Sequence, residues 1–384
     1  MQIQREIASK ISSALGKYPI VAITGPRQSG KTTLCKLLKP DFTYVNLEDI
    51  SKREFAKSDP KGFLETYQDG VIIDEIQYAP DLFSYLQVYT DQRQKNGEYI
   101  ITGSQNFLLL ESISQSLAGR VALFNLLPLS LKELEKGNYL FENWKEYALN
   151  GSFPRKWVND IDPTDFYANY VRTYVERDVR LIKNITNLDV FQKFIHLLAG
   201  RTGQLLNQSS LGNELGLDNK TINSWMSLLE ASFIAFRLKP YHNNFNKRIV
   251  KTPKVYFYDT GLLAYLLGIR TEYDLEIHFA KGQVFENLIL LEKIKQTWNN
   301  NTHENYSFWR DVSGNEIDIL IERGQQLIAI EVKSGKTLHN DFFKSLDQFK
   351  GFKPDVSNFL VYGGNESQKR SQVTIVGFKD LHTI

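Results

Sequence analysis

The sequence has little cysteine and little net charge. Its 384 residues include one cysteine, Cys35, which excludes an intramolecular disulfide and fits a reducing compartment. The 46 basic and 44 acidic residues leave a formal net charge of +2. Because no basic field covers the molecule, any contact with nucleic acid must come from a local patch.

Long apolar runs and metal-binding patterns are also missing. No run approaches the ~18 apolar residues that a membrane-spanning helix needs, so we expect no membrane partner. The first thirty residues carry charges where a signal peptide needs an apolar segment, which predicts a cytoplasmic location. The six histidines and the cysteine show no spacing typical of zinc ligands.

Short apolar segments alternate with amphipathic ones up to about residue 135. Most apolar segments are separated from the next by a plausible helix, which predicts an α/β fold with a parallel sheet covered on both faces. The predicted strands are PIVAITG, FTYVNLED, GVIIDEI, EYIITGS and RVALFNL.

The pattern changes near residue 150. Helical periodicity replaces the alternation in DFYANYVRTYVERDVRLI and DVFQKFIHLLAG. After about residue 270, the amphipathic helix GQVFENLILLEKIKQ precedes the strands YSFWRD, EIDILIE and LIAIEVKSG, which indicate another α/β domain. Length and pattern together predict three domains, at residues 1–148, 149–268 and 269–384.

A phosphate-binding loop follows the first predicted strand. The residues GPRQSGKT fit the pattern G-x-x-x-x-G-K-S/T between the strand IVAIT and the helical TTLCKLL. Glycines let backbone N–H groups curl around phosphates, Lys31 brings a positive charge to the β- and γ-phosphates, and Thr32 can ligate magnesium. We therefore predict that the chain binds ATP and Mg²⁺. The predicted nucleotide-binding residues are Gly25, Pro26, Arg27, Gln28, Ser29, Gly30, Lys31, Thr32 and Thr33.

The segment VIIDE supplies the acidic half of such a site. Asp74 ends a predicted strand and would hold the magnesium ion, while Glu75 would orient and deprotonate the attacking water. Without the phosphate loop, this pair would fit a solvated strand end equally well. Thr102, Ser104 and Gln105 follow the next strand, where a side chain either senses the γ-phosphate or has no such role.

The middle region has helix-turn-helix proportions. A first helix over about Ser210–Leu215 turns at Gly216, and Asp218 is a natural N-cap for the second helix. The β-rich FIAFRLKPY that follows is typical of a wing. The segment from Phe236 to Lys254 has no acidic residue among its cations, which are Arg237, Lys239, Lys247, Arg248, Lys251 and Lys254.

This region has two interpretations. In one, Asn219, Lys220, Asn223 and Ser224 face a DNA groove while the cations contact phosphates, so affinity falls with salt. In the other, that helix face is solvated and the winged-helix domain contacts protein or acts as an ATPase lid. Four aromatic residues either stack on bases or belong to the core: Tyr241, Phe245, Tyr256 and Tyr258.

Acidic side chains interrupt two apolar strands in the last part of the chain. Asp318 lies in NEIDIL, and Glu331 and Lys333 lie in AIEVKSG on one strand face, about 7 Å apart at Cα. If the strands pair, Asp318 and Glu331 converge on one divalent ion, and Lys333 can polarise a phosphate. Glu286, on the preceding helix, would add a fourth polar group. The alternative is a salt-bridged pair at a strand edge.

Five segments resemble AAA-type P-loop ATPases near the signal-transducing NTPase branch, which carry a fused C-terminal domain in bacteria and archaea. They are GPRQSGKTTL, IIDEIQYAPDLFSYLQ, IITGSQNFLL, SLAGRVALFNLLPLSLKEL and YVERDV, and the resemblance covers nearly the whole chain. In such ATPases an arginine often reaches the γ-phosphate of a neighbouring subunit. The resemblance therefore implies this role for Arg120 and a homo-oligomer, and a surface ion pair is the alternative.

The arrangement of Asp318, Glu331 and Lys333 is similar to the D…E-x-K core of the restriction-endonuclease-like fold, which implies magnesium-dependent cleavage of nucleic acid. An inherited scaffold that binds without cutting is the alternative. The favoured function is ATP-dependent action on DNA by a P-loop ATPase domain, a winged-helix domain and a restriction-endonuclease-like domain. A nucleotide-controlled regulatory switch and a protein-recruiting ATPase without nucleic acid are its rivals.

Overall fold

A computed structural model describes residues 3–104, 113, 116–179, 185, 187–241 and 250–384. The chain separates into two compact units. The first contains Met1–Leu129, Ala231–Phe233 and Trp298–Asn301, and the second contains Ser130–Glu230, Ile234–Thr297 and Thr302–Ile384. The three predicted domains and their boundaries stay a prediction.

A parallel sheet lies at the centre of the first unit. Its described strands run in the order β2-β3-β4-β1-β5, and every pairing between them is parallel. The bounds are β1 Ile20–Thr24, β2 Thr43–Asn46, β3 Val71–Asp74, β4 Tyr99–Gly103 and β5 Val121–Asn125. The prediction of a parallel α/β sheet from these segments is confirmed.

Alternating side chains bury both faces of this sheet. Ile20 and Ala22 of β1 lie in one apolar cluster, while Val21 and Ile23 lie in a second cluster. Because neighbouring residues of a strand point to opposite faces, a run that is apolar throughout must be covered on both sides. The covering helices are Ala8–Leu15, Lys31–Leu38, Ile50–Ser58, Pro60–Thr66 and Leu82–Arg93, with a 3₁₀ turn at Ile76–Tyr78.

Short helices make up the first part of the second unit. They are Leu131–Lys136, Trp144–Asn150, Pro154–Val158, Pro163–Tyr170, a π-helical stretch Val171–Val179, Leu188–Ala199, Gln208–Leu215, Asn219–Ala231, Thr260–Leu266 and Glu272–Ile277. Oxygen-bearing side chains start several of them. Asn207 accepts a hydrogen bond from the Ser210 amide, and Asp218 accepts one from Thr221. The predicted helix pair and its Asp218 cap are therefore present.

A mixed sheet forms the last part of the second unit. Its described strands run in the order β12-β13-β11-β10-β9-β8, with β9 antiparallel to both β8 and β10 and with β11 parallel to β10. The strands are β8 Asn305–Arg310, β9 Glu316–Arg323, β10 Gln326–Lys333, β11 Ser357–Tyr362, β12 Gln368–Lys369 and β13 Thr374–Gly377. The helical elements here are Lys281–Asn300, Asn340–Phe343, Lys344–Phe352 and Phe378–Thr383.

A two-stranded hairpin, β6 Ala235–Leu238 and β7 Lys254–Phe257, follows the predicted helix-turn-helix. Residues 239–241 continue from β6 along β8, since Tyr241 N donates to Phe308 O at 2.7 Å. Tyr241 belongs to the apolar core beneath β8–β11, with Trp309 among its members. Among the described residues, no helix is both long and apolar enough to cross a membrane.

Candidate functional site

The predicted nucleotide site lies at the carboxyl edge of the first sheet. Thr24, the last residue of β1, stands in register with Gly103 of β4 and Asn125 of β5. The phosphate loop therefore leaves the sheet between two parallel neighbours. Parallel strands bring their carboxyl ends to one edge, which is where ligands of open α/β sheets bind.

The glycines of the loop are required by its backbone. Gly25 has φ +152°, and a Cβ there would lie 2.1 Å from Leu126 O. Gly30 has φ +94° and caps the helix Lys31–Leu38. A side chain at Gly25 would collide with the backbone, and one at Gly30 would strain the left-handed turn that starts the helix.

Lys31 is buried and held by the loop itself. Its Nζ donates to Gly25 O at 2.8 Å and to Pro26 O at 2.9 Å. Burial lowers the pKa of the Lys31 ammonium, while the charges of Glu75 and Asp74 act in the opposite direction. The ammonium is thus kept inside the loop that a phosphate chain would enter, and phosphate oxygens can replace the two carbonyls.

Asp74 is the meeting point of three hydroxyl groups. Its Oδ2 accepts from Thr32 Oγ1 and from Tyr44 OH, both at 2.7 Å, and its Oδ1 accepts from Thr102 Oγ1. The structure thus joins Thr32 of the loop to Asp74 of β3, as the sequence pattern predicts. Tyr44 was missed by sequence reasoning, because its role depends on β2 lying beside β3.

Tyr44 is held as a neutral donor. Burial and the hydrogen bond to Asp74 raise the pKa of its hydroxyl well above the usual range. Lys36 Nζ lies 3.8 Å from the centroid of the Tyr44 ring, in a cation–π contact. The hydroxyl therefore keeps its proton and directs it at the Asp74 carboxylate.

Glu75 is turned toward the end of β4. Its φ of +56° is left-handed, and its Oε2 accepts from Ser104 N at 3.3 Å and from Ser104 Oγ at 3.1 Å. Gln77 Nε2 donates to the same oxygen. Ser104 was among the polar residues predicted to follow this strand, and Gln105 lies outside the described residues.

The donor set fits a hard divalent cation. A threonine hydroxyl and a carboxylate share one hydrogen bond between Thr32 and Asp74, and such oxygen atoms are the ligands that Mg²⁺ prefers. Both side chains are oriented by neighbours rather than free to rotate. Thr32 and Asp74 are therefore the residues that would hold the ion, directly or through water.

Two other predicted residues are engaged in ion pairs. Arg27 of the loop lies 2.9 Å from Glu48. Arg120 binds Asp91 through two bonds, at 2.6 Å from Nε to Oδ1 and 2.8 Å from NH2 to Oδ2. This ion pair lowers the pKa of the Asp91 carboxyl. Contact of Arg120 with another subunit stays a prediction, and it would require this pair to exchange.

The second candidate site surrounds the β9–β10 pair. Ile319 stands opposite Ile330 in the antiparallel register, and Asp318 Oδ2 accepts from Val332 N at 2.8 Å. Lys333 Nζ donates to Glu331 Oε1 at 2.5 Å. Glu331 Oε2 is buried and finds no hydrogen-bond partner among the described residues. An orphaned buried carboxylate oxygen fits either a bound cation or a proton.

The charges of this second site are strongly coupled. Burial and the nearby Asp318 raise the pKa of Glu331 to about 8. Burial also raises the pKa of Glu286 to about 7, although Lys254 opposes this shift. Burial lowers the pKa of Lys333, but Asp318 and Glu331 outweigh it and the net shift is upward. The four predicted polar groups therefore belong to one electrostatic cluster.

Lys254 is a member of this cluster that the sequence did not indicate. Its Nζ lies 3.0 Å from Glu286 Oε1 and also pairs with Glu316, and the side chain is buried. Tyr256 OH donates to Glu286 as well. Within the described ranges, no group of three or more His, Cys, Asp or Glu residues is arranged to hold a metal ion.

The predicted basic patch is corrected by these contacts. Lys254 is buried among carboxylates, and Arg237 is bound to Glu230 and to Asn223 Oδ1, so neither cation is available to phosphates as it stands. Lys239 and Lys251 are exposed. Phe245, Lys247 and Arg248 lie outside the described residues.

Most of the side chains predicted to face a DNA groove are exposed, whereas most of the described aromatic residues predicted to stack on bases are buried. Asn219, Lys220 and Asn223 are exposed and Ser224 is half-buried. Tyr241 and Tyr256 belong to the buried core rather than to an exposed stacking surface, while Tyr258 is half-buried.

Three stretches of the chain match family models. Residues 17–135 match one described as "AAA domain". This match supports the assignment of residues 17–135 to an AAA-type P-loop ATPase domain. Residues 141–273 match "Domain of unknown function (DUF8612)" and residues 281–381 match "Domain of unknown function (DUF4143)".

Curated relatives match over most of the chain. An uncharacterized protein of Mycobacterium tuberculosis is 29% identical over 338 residues, which cover 87% of this chain and 74% of the relative. An uncharacterized protein of Haemophilus influenzae is 23% identical over 347 residues, 82% of each chain. Among solved structures, the Walker-type ATPase PABY2304 of Pyrococcus abyssi is 14% identical with a TM-score of 0.41, covering 68% of this chain and 94% of its own.

Proposed function

We propose that the chain binds ATP with Mg²⁺ and hydrolyses it at the carboxyl edge of the first sheet. The observation that carries this proposal is the hydrogen bond from Thr32 to Asp74, with Glu75 next along the chain. This hydrogen bond joins the phosphate loop to Asp74, the last residue of β3 in the same sheet. A solvated strand end would need no such connection.

The residues divide the work of phosphoryl transfer. When bound, Mg²⁺ would neutralise charge on the transferring phosphate. Lys31 would exchange its two loop carbonyls for phosphate oxygens, and the amides of the loop would hold the phosphate chain. Glu75 would leave Ser104 and Gln77 to orient water and accept its proton.

ATP turnover tests this proposal directly. We expect Lys31→Ala to lose ATP binding, and Glu75→Gln to keep binding but lose turnover by about a hundredfold or more, as for a missing general base. Lys57→Ala, at an exposed position of the helix Ile50–Ser58 in the same unit, serves as the control. Undiminished turnover in Glu75→Gln would remove Glu75 from the chemistry.

The second candidate function is action on DNA through the Asp318–Glu331–Lys333 cluster. It is supported by the buried, unpaired Glu331 oxygen beside Asp318 and Lys333. Asp318 and Glu331 would hold a divalent ion. The ion would polarise the phosphate of the nucleic acid and activate a water molecule. Lys333 would place a cation beside the scissile phosphate.

The rival proposal is a nucleotide-controlled switch that binds nucleic acid without cutting it. Lys254 favours it, because a lysine already neutralises the Glu286 and Glu316 side of the cluster. Magnesium-dependent degradation of a labelled duplex, lost in Asp318→Ala, separates the two. A duplex that shifts in a gel but stays intact supports the switch, and no shift at any salt concentration supports a protein-recruiting ATPase.

A further inference from the structure

Arg5 lies outside the phosphate-loop pattern, yet it binds the loop. It precedes the helix Ala8–Leu15, and its relative exposure is 7%. Its NH1 donates to Ser29 O at 2.7 Å and its NH2 donates to Leu127 O at 2.6 Å. One guanidinium therefore connects the loop to the segment that follows β5.

The bond to Ser29 fixes a peptide plane inside the cradle. In a planar trans peptide, the carbonyl of one residue and the N–H of the next point in opposite directions. Because Arg5 holds the Ser29 carbonyl on its own side, the Gly30 N–H is directed away from Arg5. Gly30 caps the helix Lys31–Leu38, and amides at this position are the ones that cradle phosphates.

The second guanidinium nitrogen of Arg5, NH2, anchors the Ser29–Gly30 peptide to a rigid segment by its bond to Leu127 O. Leu127 follows Leu126, whose N–H donates to Thr24 O at 2.7 Å, so the segment is anchored to the end of β1. The Ser29 side chain does not share this anchoring, because its Oγ is buried and has no hydrogen-bond partner in the described part of the chain. Bonds from a charged donor to two buried carbonyls are also stronger than neutral ones.

We propose that Arg5 is a positioning residue for nucleoside di- and triphosphates, acting through the orientation of the Gly30 amide. This inference rests on the proposed ATP site and adds a determinant that the loop pattern does not contain. Arg5 touches the loop backbone and acts on phosphate through it.

Binding of ADP and ATP in the presence of magnesium, followed by calorimetry, tests the inference on the full chain. Arg5→Met should raise Kd by about tenfold or more, because a charge-assisted hydrogen bond to a buried group is lost. Arg5→Lys should fall between Arg5→Met and the unchanged chain, since an ammonium keeps the charge but lacks the planar fork.

Arg93→Met is the matched control. Arg93 also donates to a backbone carbonyl, that of Gln68 at 3.0 Å, and pairs with Glu98, at the opposite edge of the same sheet. Its Kd should equal that of the unchanged chain.

The number of sites separates positioning from folding. A purely structural Arg5 would reduce the binding stoichiometry of Arg5→Met and leave Kd unchanged, which would overturn the inference, as would equal Kd at full stoichiometry. If the folded, unchanged chain binds neither nucleotide, the proposed function itself fails and this inference falls with it.

Discussion

The hydroxyl of Tyr44 donates to Asp74 Oδ2 at 2.7 Å, the same oxygen that accepts a hydrogen bond from Thr32. A carboxylate whose oxygens are fixed by neighbours has only a small range of orientations. Outer partners of this kind typically contribute about ten- to a hundredfold to metal affinity. Tyr44 thus belongs to the machinery that sets the direction of Asp74.

Tyr44→Phe should raise the Mg²⁺ concentration for half-maximal ATP turnover by about tenfold. The reason is that Asp74 loses one of the donors that orient it, while the phosphate loop is untouched. A magnesium titration of turnover measures the effect. Tyr89→Phe, which removes an exposed bond of 3.0 Å to Glu65 in the same unit, should leave the titration unchanged.

Two substitutions distinguish a role of Arg120 in a neighbouring subunit's site from a role in its ion pair with Asp91. Asp91→Asn weakens the exposed pair and leaves the arginine in place, whereas Arg120→Ala removes the guanidinium. If Arg120 completes a neighbouring subunit's site, Asp91→Asn should retain turnover and Arg120→Ala should lose it while still binding ATP. Equal turnover in both variants would show that the arginine serves only its ion pair. Neither change should alter stability measurably.

The stability of the second unit should fall as the pH rises. The folded-state pKa of Glu331 is raised from 4.5 to about 8, so its contribution is present below pH 4.5 and is lost as the pH rises through 8. Urea unfolding between pH 5 and 8 measures this slope. In Glu331→Gln the slope should be smaller, because the amide does not titrate. Identical slopes in both proteins would place the ionisation elsewhere.

Lys254→Met should lower the free energy of unfolding by about 3–5 kcal/mol, because it leaves the largely buried Glu286 carboxylate without its cation, while Glu316 keeps its ion pair with Arg310. Adding Glu286→Gln should recover part of this loss. Lys251→Met, at an exposed position nearby in sequence, should cost almost nothing. A Lys254→Met protein as stable as the unchanged chain would contradict the buried-cluster description.

Local patterns predicted the strands and the loop, since burial of β1 residues on both faces and the left-handed positions of Gly25 and Gly30 follow from short-range rules. Contacts between distant segments were not predictable in this way. Tyr44 reaches Asp74 only because β2 pairs with β3, and Arg5 reaches Ser29 across 24 residues. A side chain's partner across the fold is set by strand order, which periodicity does not specify.

The same limit explains the error in the basic segment. A run of cations without acidic neighbours in sequence suggests a free positive surface. Arg237, however, meets Glu230 of the helix Asn219–Ala231, and Lys254 meets acidic groups more than thirty residues further along the chain. Charge counting along the sequence therefore overestimates how many cations remain open to a polyanion.

Lys254 also bears on how the molecule can be divided in the laboratory. The lysine precedes residue 269, yet its ion-pair partners Glu286 and Glu316 both follow it. A fragment begun at the expected third domain would keep both carboxylates but lose the Lys254 amine, so Glu316 would retain Arg310 while Glu286 would lose the cation that pairs with it. We expect such a fragment to misfold or to bind cations from solution. A fragment for biochemistry should therefore include the hairpin β6–β7, which carries Lys254.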